Sequence, residues 1–324
     1  MTPVDPQARA LLERWDATPG VPVERLTATR VRQEDLAVLD LQAIPKRLHA
    51  VNDIELPGPA GAMSARVYRP RPGRLQTILY LHGGGFVIGP EGYDAPLRQL
   101  ALSSGCMIVA LHHRLAPEYR FPAALEDAVA GATWLAENIE TVGGLDVPLG
   151  VMGDSSGGNL AAVAVRTLAR EGTPLAFQAL IYPMLDATAS SASYIEFASG
   201  YGFSREKSLW YFDQYLPPEV DLRAPSVSPL FELDLAGLPP TLIATAECDP
   251  LRDEGEAYAQ NLRDAGVDVT VHRYRGMIHG FFQMTAALDA SRQLHNDLAQ
   301  WLKGRGTGMA ERRSTRVSRC GPPT

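Results

Sequence analysis

The sequence predicts an α/β protein with a mostly parallel central sheet, helices on both of its faces and a helical cap. Three observations carry that prediction. Between residues 77 and 274, short continuous apolar or β-branched runs alternate with helical patterns, as parallel strands covered on both faces require. A serine bracketed by glycines, Gly153-Asp154-Ser155-Ser156-Gly157, stands where one run gives way to a helical stretch. A glycine triplet, His82-Gly83-Gly84-Gly85-Phe86, follows an earlier run in the same manner.

The segment to about Ile44 reads as two helical pieces, with Leu11, Leu12 and Trp15 on one face and Leu26, Leu36 and Leu39 recurring later. Pro45 ends the second piece. Residues 50–55 and 63–68 read as extended segments joined by turn signals at Pro57-Gly58-Pro59 and Gly61, an antiparallel pair at a sheet edge. Strands are then expected at 77–81, 107–111, 149–152, 177–182, 241–246 and 267–274. One interval breaks the alternation. Residues 186–238 show no strand but many aromatics, among them Tyr201, Phe203, Trp210, Tyr211, Phe212 and Tyr215, and read as a helical insertion. The expected organisation is N-terminal cap helices at 1–48 and a catalytic domain at 49–303 interrupted by this cap insertion. Such a cap would lie over the carboxyl edge of the sheet, where α/β proteins bind ligands. After Lys303 the apolar pattern stops and arginines dominate, so 304–324 is expected to be a disordered tail.

Composition narrows the function. The 324 residues suffice for a large core, and 45% hydrophobic with 21% charged residues describes an ordinary globular chain. A net charge of −7 argues against nucleic acid as a partner, because that binding rests on Lys and Arg contacts to phosphate. Residues 1–15 carry mixed charges and two prolines rather than the basic start and apolar stretch of a signal peptide. No stretch approaches the roughly 18 consecutive apolar residues of a membrane span. A cytoplasmic protein is the expectation. Cys106, Cys248 and Cys320 are far apart and show no Cys-x-x-Cys spacing, so free thiols are expected. Nothing near Cys248 supplies the turn or donors that a thiol nucleophile needs.

A serine hydroxyl is a poor nucleophile at neutral pH, and it needs a base in hydrogen-bond reach and a third group that fixes the base's tautomer. In the strand–turn–helix elbow, the bracketing glycines let the turn close and lift Ser155 clear of the sheet edge. By itself the Gly-x-Ser-x-Gly pattern is weak, occurring by chance in about one chain in ten of this length. Three histidines follow it: His272, His279 and His295. His272 alternates along a strand and His295 lies in a helical pattern, whereas His279 sits in a glycine-bracketed loop just past a strand end. That makes His279 the candidate base. The acid should leave another strand end between them, where Asp249 precedes a proline at a helix start; Asp253 and Glu247 are its rivals. The backbone N–H groups of Gly83 and Gly84, with that of Ser156, are the candidate donors to a developing oxyanion. A phosphate cradle is disfavoured, since neither a Gly-x-Gly-x-x-Gly nor a P-loop lysine accompanies the triplet.

Together these motifs resemble the hormone-sensitive-lipase-like family of α/β-hydrolases, in its subgroup with aspartate before the nucleophile. The resemblance runs from about Ala50 to Leu302 and includes Arg114-Leu115-Ala116-Pro117-Glu118, Asp249-Pro250-Leu251-Arg252-Asp253 and His279-Gly280-Phe281. It implies the α/β-hydrolase fold, nucleophile Ser155, acid Asp249 and base His279, with no metal or cofactor. The implied activity is a serine carboxylesterase acting on small-molecule esters of short to medium acyl chains, and family habit suggests a homodimer. An amidase, lactonase or acyltransferase would use the same residues. A non-catalytic ligand receptor on this scaffold is disfavoured by the presence of His279. Two positions depart from the family pattern: Ser156 where alanine is common, expected to add a hydroxyl near the pocket, and His113 where tyrosine is commoner. Arg114, Glu118 and Asp127 are expected to form buried ion pairs that support the loops.

Overall fold

Alternate residues of the central strands feed two separate cores. Ile78, Tyr80, Ile108 and Met152 pack on one face of the sheet, while Leu79, Leu81, Val109 and Val151 pack on the other. Every residue of such a strand is therefore apolar or nearly so, which is why the strands appear as unbroken runs. The computed structural model describes residues 3–17 and 21–306. Cys320 and residues 307–324 of the expected tail lie outside them.

The eight strands are β1 (Ala50–Gly58), β2 (Gly61–Arg69), β3 (Thr77–Leu81), β4 (Met107–Leu111), β5 (Leu149–Asp154), β6 (Leu175–Ile181), β7 (Thr241–Cys248) and β8 (Val269–Ile278), in the spatial order β1-β2-β4-β3-β5-β6-β7-β8. β1 forms the sheet edge, antiparallel to β2 with Gly58 opposite Gly61, and β2 is antiparallel to β4. All later pairings are parallel. Strands β3 and β4 span the expected residues; β5, β7 and β8 run further at their carboxyl ends. β8 starts two residues later than its pattern suggested, because Val267 is used to close the preceding helix through its N–H to Leu262 O at 3.0 Å.

Before the sheet come α1 (Pro6–Asp16) and α2 (Ala28–Asp35), each capped by a side chain, Asp5 and Thr27, that accepts from first-turn N–H groups. The second apolar face did not materialise as expected. Leu36 and Leu39, in a 3₁₀ turn after α2, are 45% and 46% exposed, and the turn buries Leu41 instead. Between the strands lie α3 (Asp94–Ser104), α4 (Ala123–Glu137), α5 (Ser156–Arg170), α6 (Ala192–Glu196), α7 (Arg205–Tyr215) and α8 (Arg252–Asp264), followed by α9 (Asp289–Gly306). α3 and α9 pack on one face of the sheet, α4, α5 and α8 on the other. The short α6 and α7 fall in the interval between β6 and β7. Residues 304–306, assigned to the tail from sequence, continue α9: Arg305 pairs with Asp268 at 2.7 Å and lies over the Trp301 ring. No helix among the described residues is long and apolar enough to cross a membrane.

Candidate active site

The end of β5 and the start of α5 meet at Ser155, whose φ of 52° and ψ of −121° lie outside the regions an ordinary residue prefers. Strain of this kind costs about 1–3 kcal/mol and persists only where the surroundings hold it. Here Ser155 N–H donates to Ile181 O at 2.9 Å, and Met184 N–H donates to Ser155 O at 3.0 Å. The glycines make the turn possible by close approach. A Cβ on Gly157 would lie 2.1 Å from Leu81 O, and one on Gly153 would lie 2.2 Å from Gly157 O.

Three distant side chains converge on this turn. His279, just past the end of β8, places Nε2 3.0 Å from Ser155 Oγ and Nδ1 2.7 Å from Asp249 Oδ2. The Asp249 carboxylate is fully buried at the end of β7, and its other oxygen accepts from Leu251 N–H at 2.9 Å. An ionised carboxylate only accepts, so Nδ1 carries the imidazole proton and bare Nε2 accepts from the serine hydroxyl. The rival residues are engaged elsewhere. Asp253 accepts from Ser193 N–H and from Arg252, and Glu247 accepts from Gly276 N–H at 2.7 Å. His272 lies along β8, and buried His295 meets Phe282 O at 3.1 Å. Cys248 is buried, and that burial, aided by Glu247, pushes its thiol up to about 11, far from a thiolate at neutral pH.

The glycine triplet meets the elbow through Asp154 and Ser156, and the expected assignment of its donors needs correction. Gly83 N–H already donates to Asp154 Oδ1 at 3.0 Å and to Tyr93 OH at 2.9 Å, so it is not free for an oxyanion. Among the described residues, the N–H groups of Gly84, Gly85 and Ser156 have no such partner. Gly85, with φ of 60°, has to be glycine because a Cβ there would lie 2.3 Å from the Tyr211 ring. No group of three His, Cys, Asp or Glu residues among those described could hold a metal ion.

Residues 78–283 match the family described as the alpha/beta hydrolase fold. The chain belongs to the hormone-sensitive-lipase-like α/β-hydrolases. It is similar to the carboxylic ester hydrolase LipN of Mycobacterium tuberculosis, at 41% identity over 243 residues that cover 72% of this chain and 65% of LipN. An ethyl acetate hydrolase of Pseudomonas putida is 36% identical over 247 residues, 74% of this chain and 78% of that one. Among solved structures, an esterase of Pyrobaculum calidifontis superposes with a TM-score of 0.85 at 39% identity, covering 93% of this chain and 99% of that chain.

Much of what holds the hydrolase site was not visible in its motifs. Asp154, buried at the end of β5, accepts from Tyr80 OH at 2.9 Å, Tyr93 OH at 2.8 Å and Gly83 N–H. Burial pushes its carboxyl up to about 6, although the tyrosine hydrogen bonds pull the other way. The hydroxyl that Ser156 adds has a partner: Oγ accepts from Phe86 N–H at 3.1 Å and ties the elbow to the glycine loop. His113 stacks on His82 at 4.2 Å between ring centres. Arg114 does pair with buried Asp127, at 2.8 Å. Glu118 does not belong to that pair: its side chain, 52% exposed, takes Arg32 of α2 at 2.6 Å. Arg32 also donates to Val87 O at 2.8 Å and Ala116 O at 3.0 Å, which joins the N-terminal segment to the loop just beyond the glycines. Nothing in the sequence pointed to Tyr80, Tyr93 or Arg32.

Proposed function

We propose that the protein is a serine carboxylesterase that hydrolyses esters of short to medium acyl chains through an acyl-enzyme. The observation that carries this is the hydrogen-bonded chain of Ser155 Oγ, His279 and Asp249, at 3.0 and 2.7 Å. Names of the relatives, among them an ethyl acetate hydrolase, support the substrate class.

In this reading His279 Nε2 takes the Ser155 proton as Oγ attacks the ester carbonyl, and the buried Asp249 carboxylate stabilises the imidazolium that forms. Negative charge on the carbonyl oxygen is met by the N–H groups of Gly84, Gly85 and Ser156, a set in which Gly85 replaces Gly83. Each such donor is worth about 3 kcal/mol in comparable sites. The imidazolium then protonates the leaving alcohol. Water, deprotonated by His279, attacks the acyl-serine, the proton returns to Ser155, and the acid leaves.

The N-terminal helices together with α6 and α7 act as the cap, and their aromatic residues favour apolar acyl or alcohol groups. Cys106 and Cys248 are buried free thiols, which accords with work in the reducing cytoplasm. A homodimer is part of the proposal on family habit alone, and elution at twice the chain mass in gel filtration tests it. The activity itself is tested by hydrolysis of p-nitrophenyl esters of graded chain length, with Ser155→Ala as control. Equal rates for the two proteins would remove the esterase reading.

A further inference from the structure

The imidazole of His279 is held on one side by a residue of the insertion. Phe203 stacks on it with 4.5 Å between ring centres and 28° between planes. Tyr182, just past the end of β6, meets it at 4.7 Å and 58°. With Nδ1 and Nε2 both hydrogen-bonded, the two rings leave the His279 side chain only 11% exposed.

The loop that carries Phe203 is fixed from two directions, and the ring of Tyr211 lies beside Phe203 at 6.4 Å and 25°. Its loop turns through Gly200 and Gly202, with φ of 82° and 80°, and Gly202 sits so close to α1 that a Cβ would lie 2.9 Å from the Trp15 ring. On the other side Phe197 makes an edge contact with Tyr201 and lies under the Arg252 guanidinium, 4.9 Å from its ring centre. That guanidinium donates to Glu247 O at 3.2 Å and to Asp253 at 2.8 Å, two residues that flank Asp249. The loop that carries Phe203 thus meets α1 at Gly202 and, through Tyr201 and Phe197, Arg252 at the start of α8.

We infer that Phe203 is a positioning residue for His279: its ring holds the imidazole in the plane that joins Ser155 to Asp249, shields the Nδ1 proton from water, and faces the imidazolium that forms during turnover. This rests on the esterase reading for its kinetic consequence and on geometry for the rest. An aromatic ring attracts a cation over its face, and that attraction exists only while His279 is charged. It therefore acts on the barrier rather than on substrate binding. Acylation and deacylation both pass through the imidazolium, so both steps lose it together.

The experiment compares wild type, Phe203→Leu and Phe203→Tyr with p-nitrophenyl acetate and octanoate. Leucine keeps most of the volume and removes the ring, so kcat falls about tenfold on both esters while KM stays within about twofold. Tyrosine, which restores the ring, brings kcat back to within about twofold of wild type. A second arm needs no substrate: the downfield proton resonance of Nδ1–H, sharp in the wild type, broadens by exchange with water in Phe203→Leu and sharpens again in Phe203→Tyr. If Phe203→Leu instead raises KM for octanoate and leaves kcat for acetate unchanged, Phe203 is a wall of the acyl pocket and the inference falls. An unchanged resonance in the leucine variant overturns it equally. A wild type that hydrolyses no ester would remove the esterase reading, while the resonance would still decide the packing role.

Discussion

Replacing Asp249 by asparagine tests the site at the atom where it is most exacting. The carboxylate is fully buried and has two tasks, Oδ2 facing His279 Nδ1 at 2.7 Å and Oδ1 accepting from Leu251 N–H at 2.9 Å. Asparagine keeps one oxygen. If that oxygen stays on Leu251 N–H, the amide NH₂ points at Nδ1 and donates to it, which drives the imidazole proton to Nε2. Protonated Nε2 cannot accept from Ser155. The flipped amide restores the tautomer but sets NH₂ against Leu251 N–H, at about 1–3 kcal/mol for the unmet buried donor, so roughly one molecule in five to one in 150 is competent. Loss of the negative charge beside the imidazolium accounts for the remainder. The expected fall in kcat is about ten-thousandfold, or about 5.4 kcal/mol of transition-state stabilisation. Saturating p-nitrophenyl butyrate gives kcat, and the near-UV circular dichroism spectrum, unchanged from wild type, shows that the fold survives. Turnover above a tenth of wild type would refute the tautomer argument and return the acid role to a neighbour.

Asp253→Asn is expected to leave kcat within about threefold and to lower stability by roughly 1–2 kcal/mol, read from urea unfolding, since its carboxylate serves Ser193 N–H and Arg252 rather than the histidine. Asp154, with its carboxyl raised from 3.8 to about 6, favours the folded state most when protonated. That contribution is present in full below about pH 4 and is lost as pH rises through 6, at most about 3 kcal/mol. Asp154→Asn removes it, so the stability of the variant relative to wild type should rise by up to that amount between pH 4 and 7.5; no change in the difference of urea midpoints would refute it. Arg32→Met strips donors from Val87 O and Ala116 O, and should cost about 1–3 kcal/mol in urea unfolding. Arg32→Lys should not restore that stability, because an ammonium cannot reproduce the fork. Iodoacetamide at pH 8 should leave hydrolysis intact because Cys248 is buried with its thiol near 11, whereas a serine-directed organophosphate should abolish it.

How much of this was legible from sequence depends on how local each cause is. β3 and β4 could be read to the residue because burial on both faces makes all ten of their positions apolar or β-branched. The strands that feed the site ran past their reading, β5 to Asp154 and β7 to Cys248, because Asp154 and Glu247 break the apolar run that marked their interiors. Ser155, Asp249 and His279, which the structure joins by hydrogen bonds, stand out in the sequence for a related reason. Each stands on a turn whose chemistry, glycine brackets or a following proline, is written within two residues of it.

The glycine loop shows where that locality ends. Three adjacent glycines look equivalent in a sequence, and which N–H is free is settled by Tyr93, ten residues on, and by Asp154, 71 residues on. Asp154 accepts from Gly83 and in doing so commits that N–H, so the aspartate beside Ser155 helps decide which N–H groups of the glycine loop remain unpartnered. Glu118 was misassigned for the same reason, since its partner lies 86 residues away in α2. A motif therefore identifies groups that a turn must expose, whereas the groups that allocate their hydrogen bonds are fixed only when distant elements pack. Phe203 belongs to the second kind: its aromatic neighbours in sequence gave it no distinction, and its stacking on His279 exists only because the insertion packs against the end of β8, 76 residues on.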